Sequence, residues 1–318
     1  MEKKQEFVVS NTLSNNDILE ISKLTNSCFS SIDFTKNFPQ VFAHQQKSSK
    51  HFTLKMNNKL VGFCTLHPFF FPTKLGYLHA YCVGSVSIHP DFQGKGLAVQ
   101  LISSVEEFSK ENHIDFLFLF PSLEKLYLKT GYKKTNPVYV AVLNESSLFS
   151  LQKVILQDKQ VITNHKNLSQ LDTLLKSKIW RFIVTHAFPQ ECVFSYLEFC
   201  LILQIPNMEV FLLKKENNLC AVAFFNKGDD FKNVIHGAYY NENKDMLLLI
   251  KHVMLTKISQ PLYFFPGKDE ESFKTNFCFS PLPNLMLKNL SHNISEVDLL
   301  SCFNNPMEGC YVNSLQGC

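Results

Sequence analysis

The sequence lacks any apolar run long enough to cross a bilayer. Stretches such as 116–120 are far shorter than the ~18 apolar residues that a spanning helix needs. The first residues, Met1 to Phe7, include lysines, but no apolar segment follows them, so we expect no signal peptide. These observations predict a cytoplasmic protein without a membrane span.

The sequence also lacks an excess of charge of one sign. Lys and Arg total 31 and Asp and Glu total 28, which leaves a formal net charge of +3. This balance gives no reason to expect a nucleic-acid partner. Hydrophobic residues at 45% and charged residues at 19% are typical of a globular protein. At roughly 150 residues per domain, 318 residues predict two domains.

Metal-binding cysteine patterns are absent as well. None of the ten cysteines forms a Cys-x-x-Cys pair, which argues against the usual zinc sites, and the chain is too long to need a disulfide framework. We therefore expect no metal and a reducing environment. One tryptophan against 30 phenylalanines indicates a core built largely from phenylalanine.

What the sequence does contain is a faint internal duplication. Residues 52–60 match residues 211–219 at an offset of 211 − 52 = 159, with five identities. Residues 120–144 match residues 265–289 at an offset of 265 − 120 = 145, with identities that include Phe120-Pro121 and Asn144. Two matching blocks in the same order favour a tandem repeat.

Each copy has the same predicted order of elements, which is a helix, a hairpin, a strand, a helix and an apolar strand. The predicted ranges are 17–29, 52–66, 82–88, 97–111 and 116–120 in the first copy, and 168–188, 210–226, 233–240, 244–258 and 262–265 in the second. We place the domain boundary near residue 150, giving domains 1–150 and 151–318.

The most informative segment is 86–98, where a strand ends and a loop with two glycines opens an amphipathic helix. Backbone amides at such a helix start can bind a phosphate or pyrophosphate. The loop is not a P-loop, because Lys95 is followed by Gly96 rather than by Ser or Thr. Taken alone, it could be only a tight turn.

Two motifs at a fixed spacing indicate what kind of loop this is. Gln93, Gly96 and Ala98 fit the pattern Gln/Arg-x-x-Gly-x-Gly/Ala, and Tyr127 precedes Gly131-Tyr132 by four residues. In this respect residues 1–150 resemble the GNAT acetyltransferases. Phe120-Pro121-Ser122 leading to Tyr127 resembles the Eis-type branch, which also has tandem GNAT domains. The resemblance implies an α/β (α+β) protein of two tandem GNAT-like domains, each with a mixed, mostly antiparallel central sheet flanked by helices.

The resemblance also implies a site for acetyl-CoA as co-substrate. Tyr127 would be the general acid that protonates the leaving thiolate, and Ser122 would lie near the thiol. The implied cofactor-binding residues are Val86, Ser87 and Ile88 for pantetheine and Gln93, Gly94, Lys95, Gly96, Leu97 and Ala98 for the pyrophosphate.

The general base is not identified by the sequence. The family often places it on the central strand, and counting back from Gln93 gives Gly84 and Cys82, which cannot serve. Water, His79 and the C-terminal carboxylate of Cys318 stay open as alternatives.

The second copy lacks these features. Residues 240–245, which align with the loop, contain no glycine and carry Glu242 and Asp245, while Ser272 aligns with Tyr127 at the offset of 145. We therefore interpret residues 151–318 as a degenerate GNAT-like domain.

The predicted function is acetyl transfer from acetyl-CoA to a primary amine. The acceptor could be a small polyamine, an aminoglycoside-like molecule, or a peptide or protein amine. The alternative is a CoA-binding scaffold or sensor whose catalysis has lapsed. The sequence gives no oligomeric state.

Overall fold

The chain forms two compact units. The computed structural model describes residues 5–29, 33–43, 48–188, 191–192, 194–229, 231–257, 261–266, 270–282, 284–304 and 312. Unit 1 consists of the chain up to Pro137 together with the segment 284–304, and unit 2 runs from Val138 to Leu282. The strands are β1 (Gln5–Ser10), β2 (Lys50–Met56), β3 (Lys59–Thr73), β4 (Gly76–Ile88), β5 (Phe116–Leu119), β6 (Lys133–Lys134), β7 (Tyr139–Leu143), β8 (Gln160–His165), β9 (Glu209–Lys215), β10 (Asn218–Lys227), β11 (Phe231–Tyr240), β12 (Leu262–Phe264), β13 (Cys278–Pro281) and β14 (Met286–Asn289).

Helices flank the strands in both units. They are α1 (Asn15–Cys28), α2 (Phe34–Asn37), α3 (Pro39–Phe42), α4 (Leu97–Glu111), α5 (Glu124–Lys129), α6 (Glu145–Ser150), α7 (Thr173–His186), α8 (Tyr196–Ile202), α9 (Asn243–Thr256), α10 (Glu270–Phe273) and α11 (Glu296–Asn304). The predicted helix over 97–111 is confirmed, because Leu97, Leu101 and Val105 recur at helical spacing and are buried on one face.

Each unit has one seven-stranded sheet. The order is β1-β2-β3-β4-β5-β14-β6 in unit 1 and β8-β9-β10-β11-β12-β7-β13 in unit 2. Only β4 with β5 and β11 with β12 are parallel pairs among the described strands, and helices α4 and α9 make these two crossovers. The predicted fold class of two mixed, mostly antiparallel sheets flanked by helices is thus confirmed.

The hairpin that starts each sheet is the same in both copies. The turn residues Asn57 and Asn58 both have left-handed φ angles, and so do Glu216 and Asn217, which lie 159 positions later. One extra residue bulges from the second strand in each hairpin, Val61 in β3 and Cys220 in β10, again 220 − 61 = 159 positions apart. The backbone therefore repeats the duplication seen in the sequence.

The final strands of the two halves are exchanged. Strand β7 lies between β12 and β13 in unit 2, and β14 lies between β5 and β6 in unit 1. The registers correspond, since Leu143 is opposite Leu262 and Lys288 is opposite Leu117, which is a shift of 145 for both strands. The division before Val138 therefore differs from the boundary predicted near residue 150, because β7 already belongs to the second sheet.

Each sheet has a hydrophobic core on both faces. In unit 1, α4 packs on one face with Leu101 and Val105, and α1 to α3 cover the other with residues such as Ile21 and Phe38. In unit 2, α9 covers one face, and α7 and α8 cover the other. Burial of these apolar faces is what stabilises each layered unit.

Candidate active site

A cleft opens in the sheet of unit 1 where β4 leaves β5. The two strands pair in parallel only over Ala80–Cys82 and Phe116–Phe118. Three residues after Cys82, Ser85 has a left-handed φ of 54° and begins a bulge, so that Ser85 and Val86 both lie opposite Cys64. A bulge bends its strand and increases its twist. The rest of β4 therefore has an open edge on the side of β5.

The backbone groups of Val86 and Ile88 face this open edge. The amide of His89 donates to the carbonyl of Val61 at 2.8 Å, and Ser87 lies opposite Phe63. Alternate residues of an antiparallel strand direct their N–H and C=O groups to opposite sides, so Val86 and Ile88 point away from β3. Ser87 instead pairs into β3, and its hydroxyl donates to the carbonyl of Ser85 at 2.8 Å. The structure thus brings two of the three predicted strand residues to the cleft through their backbone.

The loop after β4 ends in an uncapped helix start. Gly94 and Gly96 have φ angles of 73° and 77°, and a Cβ atom added at either would meet nothing within 4 Å. Gly96 is the N-cap of α4 and provides no side-chain cap, while the amide of Gln100 donates to the carbonyl of Gly96 at 3.2 Å. The amides of the first helical turn, from Leu97 onward, precede this bond and have no intrahelical acceptor.

Two side chains of the loop donate hydrogen bonds to backbone carbonyls of the loop and of β4. The Gln93 Nε2 atom donates to the carbonyl of Ile88 at 2.9 Å, which ties the loop to the end of β4. The Lys95 Nζ atom donates to the carbonyl of Asp91 at 2.6 Å and lies 4.9 Å from the centre of the Phe92 ring. The surface above the glycines is consequently formed by backbone amides, and a pyrophosphate fits such a surface.

Tyr127 lies in α5 and is nearly buried, with 7% of its surface exposed. Burial, and after it the nearby Cys64, raises the pKa of the Tyr127 phenol, so the phenol is protonated at neutral pH. Its ring makes an edge contact with Tyr132 at 5.6 Å between centres. In the part of the chain that the structure describes, no group forms a hydrogen bond with the Tyr127 hydroxyl.

The remaining candidates lie at different places. Ser122 is exposed in the loop after β5. It follows the end of β5 at which the pairing with β4 has already stopped. His79 precedes the segment where β4 and β5 pair, and its amide donates to an Asp115 oxygen at 2.8 Å. This places His79 at the closed end of the strand pair, away from the cleft. Cys318 lies outside the described residues.

Unit 2 has the same bulge but no corresponding loop. Gly237 has a left-handed φ of 63° in β11, and the amide of Asn241 donates to the carbonyl of Cys220 at 2.8 Å, as His89 does to Val61. From His89 to the start of α4 the distance is 97 − 89 = 8 positions, whereas from Asn241 to the start of α9 it is 243 − 241 = 2. Six residues are therefore missing, and Glu242 stands at the helix start.

The described residues lack a membrane-spanning helix, a metal-binding cluster and a disulfide. No helix there is long and apolar enough to span a membrane. No group of three or more His, Cys, Asp or Glu side chains in those segments could hold a metal ion. No disulfide joins any of the described cysteines.

Comparison with known proteins agrees with the geometry of unit 1. Residues 18–132 match the family model for the acetyltransferase (GNAT) family. This part of the chain is a GNAT domain. The match covers both the glycine loop and Tyr127, so it rests on the segments that form the cleft. No curated protein matches the sequence.

Solved structures extend the likeness in fold to about nine-tenths of the chain. A GCN5-related N-acetyltransferase from Kribbella flavida is 11% identical, with a TM-score of 0.63 over 90% of this chain and 71% of that chain. Eis1 from Mycobacterium abscessus is 7% identical, with a TM-score of 0.60 over 90% and 74%. A tandem GNAT protein from the clavulanic acid biosynthesis pathway is 8% identical, with a TM-score of 0.59 over 91% and 99%. At these identities the likeness shows the tandem fold.

Proposed function

We propose that unit 1 transfers an acetyl group from acetyl-CoA to a primary amine. The observation that carries this proposal is the joint presence of an open strand edge at Val86 and Ile88 and an uncapped helix start at Gly96. An acyl-CoA needs both features, because its pantetheine arm carries amides and its pyrophosphate carries negative charge. GNAT enzymes as a family use acyl-CoA in this way.

The residues divide the binding of the cofactor between them. The amides of Gly94, Lys95, Gly96, Leu97 and Ala98 bind the pyrophosphate, and Gln93 holds the loop against β4. Val86 and the N–H of Ile88 offer backbone groups to the pantetheine arm, whereas the Ile88 carbonyl already accepts from Gln93 Nε2 at 2.9 Å and from Cys28 Sγ at 3.3 Å. An outward N–H from this strand also polarises the thioester carbonyl, as an oxyanion-hole donor does. Ser122 lies beside the thiol end, and no metal is required.

Tyr127 acts as the general acid. Burial raises the pKa of the Tyr127 phenol, so the phenol carries its proton at neutral pH and can donate it to the departing thiolate. Its hydroxyl forms no hydrogen bond with a described residue, so the proton is available for donation.

Calorimetric titration with acetyl-CoA tests the proposal. Wild type is expected to bind one molecule per chain. Gly96→Glu is expected to weaken binding by about 100-fold or more, because it places a carboxylate beside a phosphate site and a side chain at a left-handed φ. Gly76→Glu is the matched control, since Gly76 has a φ of 105° with open space around it but lies in the turn between β3 and β4. It is expected to bind like wild type.

Each other outcome has a defined meaning. Absence of binding to wild type would contradict the proposal, and two molecules per chain would contradict the assignment to unit 1 alone. Binding without thiol release across a panel of polyamines, aminoglycosides and peptide amines would favour the lapsed CoA-binding scaffold instead.

A further inference from the structure

Three polar side chains are buried at the face of the unit 1 sheet that α1 to α3 cover. Gln40 in α3, His51 in β2 and Thr65 in β3 are each at most 2% exposed. Four of their polar atoms, Gln40 Oε1 and Nε2, His51 Nδ1 and Thr65 Oγ1, have no hydrogen-bond partner among the described residues. Buried polar atoms are almost always bonded, so this set indicates a bound group that can donate and accept hydrogen bonds.

The set lies beside the cleft. His51 is directly opposite Thr65, and Thr65 is directly opposite Gly84. Directly opposed residues share a face of the sheet, and Gly84 has no side chain to cover the Thr65 hydroxyl from β4. Gly84 also immediately precedes the bulge at Ser85, where β4 leaves β5. Helix α4 and its glycine loop pack on the other face.

At the corresponding positions, unit 2 has apolar side chains. At the offset of 159, Gln40, His51 and Thr65 correspond to Phe199, Val210 and Phe224, and Val210 is directly opposite Phe224. All three are fully buried in the apolar core under α7 and α8.

From this correspondence we expect Gln40 and Thr65 to be neighbours. The rings of Phe199 and Phe224, their counterparts, are in contact with centres 6.4 Å apart. The fold thus accepts an apolar core here, and the polar set occurs in the unit that has the cofactor loop.

We propose that Gln40, His51 and Thr65 hold buried water that takes up the proton of the attacking amine. This proposal rests on the proposed function. The amine nitrogen forms a bond to the acetyl carbon while the carbon–sulfur bond breaks. The amine proton passes to the held water and on to solvent, and the sulfur takes the proton of Tyr127, which solvent restores. The three side chains act through the held water, so they are positioning residues.

The charge state of His51 agrees with this role. Burial first, and then the neighbouring His67 and Lys50, lower the pKa of His51 to about 4, so its ring is neutral at pH 7 and can bond to water. His67 lies within hydrogen-bond distance of the Ser49 hydroxyl, at 2.9 Å from Nδ1, and is opposite Cys82 on β4. His67 and Lys50 are thus the charged or titratable groups that act on His51.

The test compares Thr65→Val and His51→Val with Thr163→Val. Thr163 in unit 2 also has a buried hydroxyl without a partner among the described residues, so it is a matched control. Thr65→Val is expected to bind acetyl-CoA as wild type does and to unfold at the same temperature or higher. Its kcat is expected to fall on the order of tenfold or more, with the kcat/KM profile moved to higher pH, because the amine must then lose its proton in solution.

A conservative variant separates this role from folding. Thr65→Ser restores the hydroxyl and is expected to restore both the rate and the pH profile. An unchanged rate and pH profile in Thr65→Val and His51→Val, or the same change in Thr163→Val, would overturn the proposal. Failure of the proposed function is seen separately, as absence of turnover by wild type.

Discussion

The two units have nearly the same backbone at the point where β4 and β11 leave their parallel neighbours, but different side chains fill it. In unit 1 the position is Gly84, and Phe120 beyond β5 is 44% exposed. In unit 2 the corresponding residues are His236 and Phe265, whose rings stack with centres 5.6 Å apart. The two units therefore differ at one position, where a histidine ring stacks on the phenylalanine in unit 2 and a glycine leaves the phenylalanine exposed in unit 1.

The helix starts differ in charge as well as in length. Unit 1 presents glycine amides, whereas unit 2 has Glu242 at the N-cap of α9 and Asp245 in its first turn. The Glu242 carbonyl accepts from the Asp245 amide at 2.9 Å, and the Asp245 carboxylate accepts from Gln160 Nε2 at 3.3 Å. Acidic side chains thus lie at the positive end of the α9 dipole, where unit 1 presents glycine amides.

The largest effect is expected when unit 1 is given the residue of unit 2. Gly84→His should fill the strand opening, because His236 does so in unit 2, and turnover should fall by more than about 100-fold. Steady-state kinetics with the best amine of the panel, together with a thermal unfolding scan, measure the effect.

The reciprocal variant provides its control. His236→Gly should leave turnover unchanged and lower the stability of unit 2 by about 3 kcal/mol, because it removes a buried aromatic ring. Normal turnover in Gly84→His would show that the strand opening is not the reaction site.

The next effect concerns Tyr127, whose counterpart in unit 2 is Ser272. Tyr127→Phe should keep acetyl-CoA binding and lower kcat by about 100-fold, because it removes the proton donor and keeps the packing. Tyr132→Phe is the matched control, since Tyr132 also has a buried hydroxyl without a partner among the described residues and lies in ring contact with Tyr127. Equal kcat values for the two variants would contradict the assignment of the acid.

The smallest effect is on stability in acid, where both units carry a buried histidine. Burial holds the pKa of His51 at about 4 and that of His236 well below its usual value. Below pH ~6.5 the unfolded chain takes up protons that the folded chain excludes, so stability falls as pH falls, by about 1.4 kcal/mol per unit for each histidine. For His51 the loss levels off near pH 4.

Urea unfolding at pH 7, 5.5 and 4.5 measures this loss. His236→Phe should flatten the acid dependence of unit 2, and His51→Val that of unit 1. An unaltered slope in His236→Phe would show that another group governs the acid sensitivity of unit 2.

Local signals predicted the parts of the site that lie within one stretch of chain. The helix over 97–111 has the bounds that its apolar spacing indicates, and the Asn57-Asn58 turn lies where two apolar runs meet. The glycine loop was predicted because its function depends on residue types at fixed spacing. Long-range pairing is different, since nothing in β7 or β14 alone tells which sheet either strand will join.

Two other features were missed for identifiable reasons. Strand β3 runs to Thr73 through Pro68 and Pro72, and prolines are tolerated there because β3 beyond Leu66 pairs only with β4. Gln40, His51 and Thr65 each resemble an ordinary core residue when taken singly. Aligning the two copies at the offset of 159 places these three polar residues at the positions of Phe199, Val210 and Phe224. A polar residue that replaces an apolar core residue of the other copy is the signal that would have identified them.

The strand exchange has a consequence for biosynthesis. In the sheet of unit 1, Phe116 pairs with Asn289, which the ribosome adds 289 − 116 = 173 residues later. Until then the apolar strand β5 keeps an unpaired edge, and such edges promote aggregation. Completing the sheet also closes a very long loop, which slows folding. The nascent amino-terminal half therefore depends on segment 286–289, and we expect it to need protection by chaperones during synthesis.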